Sequence, residues 1–196
     1  MVTNGEFPPA AFSNAAEQIR ALSFRDEVRV REIASPERTA PRSLALAADV
    51  FGPEDESPAE HGSGRFILLN DPASEADWGS PFRVVCFAQA PLELEIGSDP
   101  LLADVAWSWL LDALEARGAE VAGASGTASQ VLSTGFGSLR EQGDGAQIEI
   151  RASWTPLGDR FDAHAAAWAD LLCQLAGIPA NGERVASLTQ RRVRRG

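Results

Sequence analysis

The sequence predicts an α+β protein, with about six mostly antiparallel strands and three helices packed on the sheet. Two observations carry this. Strand-like stretches follow one another with no helix between them, and within most of them apolar and polar residues alternate, as in a sheet with one face on a core. Three stretches near residues 8–22, 99–118 and 160–176 instead place their apolar residues at helical spacing.

The elements follow in order. "PPAAFSNAAEQIRAL" sets Phe12, Ala15, Ala16, Ile19 and Leu22 along one helical face, with prolines at its entry. "EVRVREI" alternates, sending Val28 and Val30 inward and Arg29 and Arg31 outward, and "LALAADVF" sends Leu44, Leu46, Ala48 and Val50 inward. Residues 52–64, "GPEDESPAEHGSG", have almost nothing to bury and are expected to form a flexible acidic loop holding a solvated His61. "RFILLN" and "FRVVCFAQAPLELEI" are strands, the second interrupted at Pro91 by a bulge or lying at an edge.

In "DPLLADVAWSWLLDALEARG", Asp99 is the expected N-cap, Pro100 the first helical residue and Gly118 the stop. The centre of its apolar face is Leu102, Ala106, Leu110 and Ala113. Trp107 and Trp109 flank that centre about 80° to either side, which makes them wedges against the sheet rather than a ligand cage. "GASGTAS" has the composition of a phosphate cradle but no lysine, so it is a small-residue strand. "AQIEIRASW" turns Ile148, Ile150, Ala152 and Trp154 inward and Gln147, Glu149, Arg151 and Ser153 outward. A last helix ends at Gly177. The order is similar to that of small bacterial secretion-chaperone-like domains, which have one strand fewer; that likeness concerns the fold alone.

A single domain is expected over residues 1–183, followed by a basic, disordered tail at 184–196. The net charge is −11. The tail contributes five arginines and no acid, so residues 1–183 carry −16 and should repel nucleic acid and anionic membranes. Only the tail offers weak contact with a polyanion. The N-terminus has neither a basic nor an apolar leader region, so the expected location is cytoplasmic. Cys86 and Cys173, far apart in apolar runs, fit reduced structural thiols.

Several chemistries are excluded outright. All seventeen basic residues are arginine and tyrosine is absent, which rules out a Schiff-base or P-loop lysine and a tyrosine acid. No GxSxG, HExxH or GxGxxG pattern occurs. His164 falls on the apolar side of its helix, as a core residue rather than a base. No cofactor or metal site is expected.

The best candidate for binding is the loop Asp71–Pro81, longer than a hairpin turn and flanked by Arg65 and Arg83. It carries Asp71, Glu75, Asp77 and Trp78, and Trp78 is either a plug returning to the core, the preferred reading, or a contact for a partner. Glu149 and Arg151, two apart on a polar strand face, form a surface ion pair or line a groove if that face is open. The candidate binding residues are therefore Asp71, Asp77, Trp78, Arg83, Glu149 and Arg151. The expected function is a non-enzymatic binding or adaptor protein engaging another protein, or a second copy of itself, through a sheet face or the 71–81 loop. The alternative is a small-molecule binder or enzyme with an arginine and carboxylate site.

Five phrases occurring in order, "SPERTAPRSLALAADV", "GRFILLNDP…DWGSPFRVV", "DPLLADVAWSWLLDAL", "EIRASWTP" and "AWADLLCQLAGIP", resemble an actinobacterial family catalogued as domain of unknown function 3000. The resemblance spans about residues 10–180. It implies a single cytoplasmic domain and brings no activity, cofactor or catalytic residue to carry over.

Overall fold

The computed structural model describes residues 9–36, 39–52, 60–142 and 144–178. Helix α1 (Pro9–Arg20) leads into four strands, β1 (Val28–Ile33), β2 (Arg42–Phe51), β3 (Glu60–Asn70) and β4 (Phe82–Leu92). After β4 come a one-turn helix α3 (Leu94–Gly97), the long helix α4 (Leu102–Ala116), the hairpin β5 (Val121–Ser133) and β6 (Gly145–Pro156), and helix α5 (Phe161–Leu175). All six strands lie in one sheet of order β1-β2-β3-β4-β6-β5, and every neighbouring pair is antiparallel. The α+β class, the strand count and the element order match those read from sequence. The three long helices are joined by two one-turn helices, α3 and α2 (Glu75–Trp78), which are too short to show a helical period.

The long helices cover one face. α5 lies over the middle strands β3 and β4, α4 over β5, and α1 packs against α5. The inward residues Leu44, Leu46, Phe66, Leu68, Val84, Ile148, Ile150 and Trp154 form the core with Trp168, Leu171 and Leu172 of α5. Two glycines set how closely helix and sheet approach. A Cβ on Gly64 would lie 2.6 Å from the Phe87 carbonyl and 2.8 Å from Leu172 Cδ2; on Gly126 it would lie 2.8 Å from the Trp107 ring. Trp107 is thus seated on the small-residue strand β5, as its place on the helical wheel predicts.

Four local readings change. Residues 94–96, expected to continue the strand "FRVVCFAQAPLELEI", belong to the one-turn helix α3, and β4 stops at Leu92. Residues 60–64, expected to be loop, are the start of β3, and Gly64 leaves room there for α5 rather than marking a coil. Residues 53–59, the rest of that loop, and the tail 184–196 lie outside the described residues. β4 is an interior strand, not an edge, and it runs through Pro91. Its register with β3 ends at Gln89, so the proline follows the stretch where β3 needs an amide from it. Asp99 does not cap α4 itself. It accepts the Leu101 amide at 2.9 Å, forming a turn that precedes the helix.

Candidate functional site

The face of the sheet away from the three long helices is the one to which the outward residues point, and the register aligns them in rows across the strands. One row reads Arg31, Ala47, Arg65, Phe87, Arg151, Thr127, from β1 to β5. On one side lies a mainly apolar row of Ile33, Ala45, Ile67, Val85, Ser153 and Ser125. On the other lies a polar row of Arg29, Asp49, Ser63, Gln89, Glu149 and Ser129. The alanines of β2 are shorter than their neighbours, and a depression of about 450 Å3 opens there, lined by Arg31, Ala47, Asp49, Arg65, Phe87 and Arg151. A second depression of about 420 Å3 lies towards β5, between Ile67, Val85, Thr127 and Ser153, and shares Arg65, Phe87 and Arg151 with the first.

The three arginines of the row differ in what holds them. Arg31 is paired with Asp49 across the β1–β2 ladder. Arg151 stacks over the Phe87 ring at 4.8 Å and donates to Glu149 at 3.3 Å. Gln147 in turn donates to Glu149 at 2.9 Å and to Gln89 at 3.3 Å, while Gln89 donates to Ser63 at 3.0 Å. Arg65, exposed between the two depressions, makes no ion pair or hydrogen bond among the described residues. An exposed, unneutralised guanidinium has its hydrogen-bond donors open to a carboxylate or phosphate, whereas Arg31 and Arg151 on either side already hold an acid each.

The loop expected to be the best candidate is a folded cap on one end of this sheet. Asp71 accepts the Ala73 amide at 2.9 Å and the Ser74 hydroxyl at 2.8 Å, starting a 3₁₀ turn (Pro72–Ser74) that continues into α2. The Asp71 amide donates to Pro81 O at 2.9 Å and closes the loop at its base. Arg83 reaches across the strands, donating to Ser153 Oγ at 2.8 Å and to Thr155 Oγ1 at 3.1 Å; Thr155 then donates to the Trp78 carbonyl at 2.6 Å. Burial pushes the Arg83 pKa down. Asp71 and Arg83 are therefore occupied in holding the loop, Trp78 is half-buried beside them, and Asp77 is exposed. Glu149 and Arg151 form the ion pair expected of them, three and two rows away from Arg83 on the same face. The six candidates thus fall into a loop anchor and a separate pair in the arginine and polar rows.

Arg31 and Phe87 were not singled out by sequence, and Arg65 was noted only as a flank of the loop. The available signal was an arginine at the outward position of three strands; what ranks them as one row is register, which spacing does not give.

Among the described residues, no buried side-chain nitrogen or oxygen lacks a hydrogen-bond partner. Trp154 donates its indole N–H to Nδ1 of His164 at 3.1 Å, and burial lowers the His164 pKa to about 4. Burial raises Cys86 to about 12 and Cys173 to about 11, so neither thiol is a ready nucleophile. Among the described residues, no group of three or more His, Cys, Asp or Glu side chains is placed to hold a metal ion, and no helix is long and apolar enough to cross a membrane.

Fold and site together define an α+β protein with helices on one face of an antiparallel sheet and an arginine row across the other. The chain matches the family described as protein of unknown function (DUF3000) over residues 8–185, and it belongs to that family. No curated protein and no solved structure matches it.

Proposed function

We propose that this is a non-enzymatic, cytoplasmic binding protein that engages an acidic segment of another protein on the open face of its sheet. The observation that carries the reading is Arg65, an exposed and unpaired guanidinium at the centre of a row on an otherwise acidic chain. Arg31, Arg65 and Arg151 are each separated by two strand spacings, about 10 Å at ~4.8 Å per strand. An extended peptide with an acid at every third residue presents carboxylates at about the same interval, ~9–10 Å, so its central acid would pair with Arg65 while the outer two would share Arg31 with Asp49 and Arg151 with Glu149. The Phe87 ring and the neighbouring Ile67 and Val85 offer apolar contact beside the charges. Two buried, unpaired thiols suit a reducing compartment.

The test is fluorescence polarisation with a labelled nine-residue peptide carrying acids at every third position. Wild type is expected to bind it, and Arg65→Glu to lose about tenfold or more in affinity, while Trp78→Ala binds as wild type. Equal affinity of wild type and Arg65→Glu would sink the proposal. A second reading, a small anionic ligand in the 450 Å3 depression, draws on that volume, which falls within the small-ligand range. It predicts a thermal shift with small dicarboxylates or inorganic phosphate and no peptide binding.

A further inference from the structure

The two edges of the sheet are built differently. β1 has six residues and carries Arg29, Arg31 and Glu32, the charges with which natural edge strands discourage pairing. β5 has thirteen residues, "VAGASGTASQVLS", with no charged residue and no proline, and pairs only with β6; a bulge at Gly123 and Ala124 interrupts it, and from Ser125 to Ser133 it runs regularly. Its flanks are apolar and exposed as well. Leu111 is exposed on α4 one turn beyond Trp107, the ring seated on Gly126; Val131 and Leu132 end the strand, and Phe136, 71% exposed, and Leu139 follow it.

From this contrast we infer that β5 is the dimer interface of the protein: two copies pair β5 with β5 antiparallel about a two-fold axis, giving one twelve-stranded sheet. The occupant follows from shape and charge. A second copy supplies the same long uncharged strand and the same apolar flanks, as an isologous interface requires. Elsewhere two chains of net charge −11 repel, whereas along β5 there is no like charge to oppose. The size is adequate. The nine regular residues Ser125–Ser133 at ~3.4 Å extend about 30 Å, and a sheet layer and a helix layer of ~10 Å each give about 600 Å2 per protomer, about 1,200 Å2 in all, the lower end of specific interfaces.

Pairing along the regular stretch Ser125–Ser133 centres on its middle residue, Ser129, next on this face to Thr127, where the arginine row ends. The two-fold axis is then perpendicular to the sheet, so both open faces lie on the same side and the two arginine rows reach the seam on either side of the Ser129 pair. The inference does not depend on what binds that row.

Light scattering of the full chain over a concentration series is expected to give twice the chain mass. Ser129→Lys, at an exposed outward position, places like charges opposite each other and should give a monomer with unchanged circular dichroism and a lower, concentration-independent melting temperature; Thr127→Lys serves if that variant misfolds. Ser129→Cys should cross-link spontaneously without reductant, because Cys86 and Cys173 are buried, while Glu32→Cys on the opposite edge should not. Arg65→Glu should remain dimeric even where it abolishes peptide binding. A monomeric wild type overturns the inference. So does a dimer that both lysine variants leave intact, and a dimer that Ser129→Cys fails to cross-link overturns the register.

Discussion

Nδ1 of His164 can accept the Trp154 N–H only while the imidazole is neutral, since both ring nitrogens of a protonated histidine are donors. The folded state therefore resists a proton that the unfolded chain accepts at about pH 6.5. With the folded pKa lowered to about 4, the unfolded chain binds more protons between those values, so stability falls as pH drops through that window. The loss is about 2 kcal/mol at about pH 5 and on the order of 3 kcal/mol once the window is crossed. Glu27 and Glu32, held below the usual carboxylate range by hydrogen bonds from Arg25 and Arg20, lose their contribution only as pH falls below 4.5. Denaturant melts at about pH 7.5 and pH 5 should show that drop in wild type and a smaller one in His164→Gln, which keeps an acceptor for Trp154. Equal stability of wild type at both values would contradict the buried neutral imidazole. A second residue-scale outcome concerns Arg83. Arg83→Met removes the donor that ties Ser153 and Thr155 together beneath Trp78, and should cost about 1–2 kcal/mol. Faster proteolysis within residues 71–81 than in wild type is the readout; an unchanged cleavage rate would show that the closure at Asp71 alone holds the loop.

At the scale of elements, the periodicities carried most of what was legible. The buried side of α4, Leu102, Ala106, Leu110 and Ala113, is the centre found on its wheel, and β6 buries the alternate residues its pattern assigned inward. What stayed illegible was how near two elements approach. Gly64 looks like a loop residue in one dimension, yet it is a strand position where α5 comes too close for a side chain. Gly64→Ala should therefore destabilise by about 1–3 kcal/mol, since the added methyl meets a backbone carbonyl that cannot move aside. The tryptophans grade by burial in the same way. Trp168, fully buried and donating to the Phe87 carbonyl at 3.1 Å, should cost about 3–5 kcal/mol on truncation to alanine. Trp107, only half-buried over Gly126, should cost clearly less, and urea melts that reverse this order would show that the wedge, not the core ring, seats the helices.

For the molecule as a whole, the candidate site was legible only in pieces. Arg31, Arg65 and Arg151 are far apart in the chain, and one residue of slip in any ladder would send one of them to the core. Sequence alternation gave each its outward direction; only the register β1-β2-β3-β4-β6 makes them a line. That line gives the molecule two electrostatic responses of opposite sign. Its net charge of −11 opposes the compact state, so screening should stabilise the fold as salt rises from about 0.01 M to about 0.15 M. The same salt should weaken the grip of the arginine row on an acidic peptide, because that attraction is between exposed charges. Melting temperature and peptide affinity measured over one salt series should therefore move in opposite directions, with Arg65→Glu keeping the first trend and losing the second. If affinity holds constant while the melting temperature climbs, the peptide is held by the apolar row of Ile67 and Val85, and the arginines merely border it.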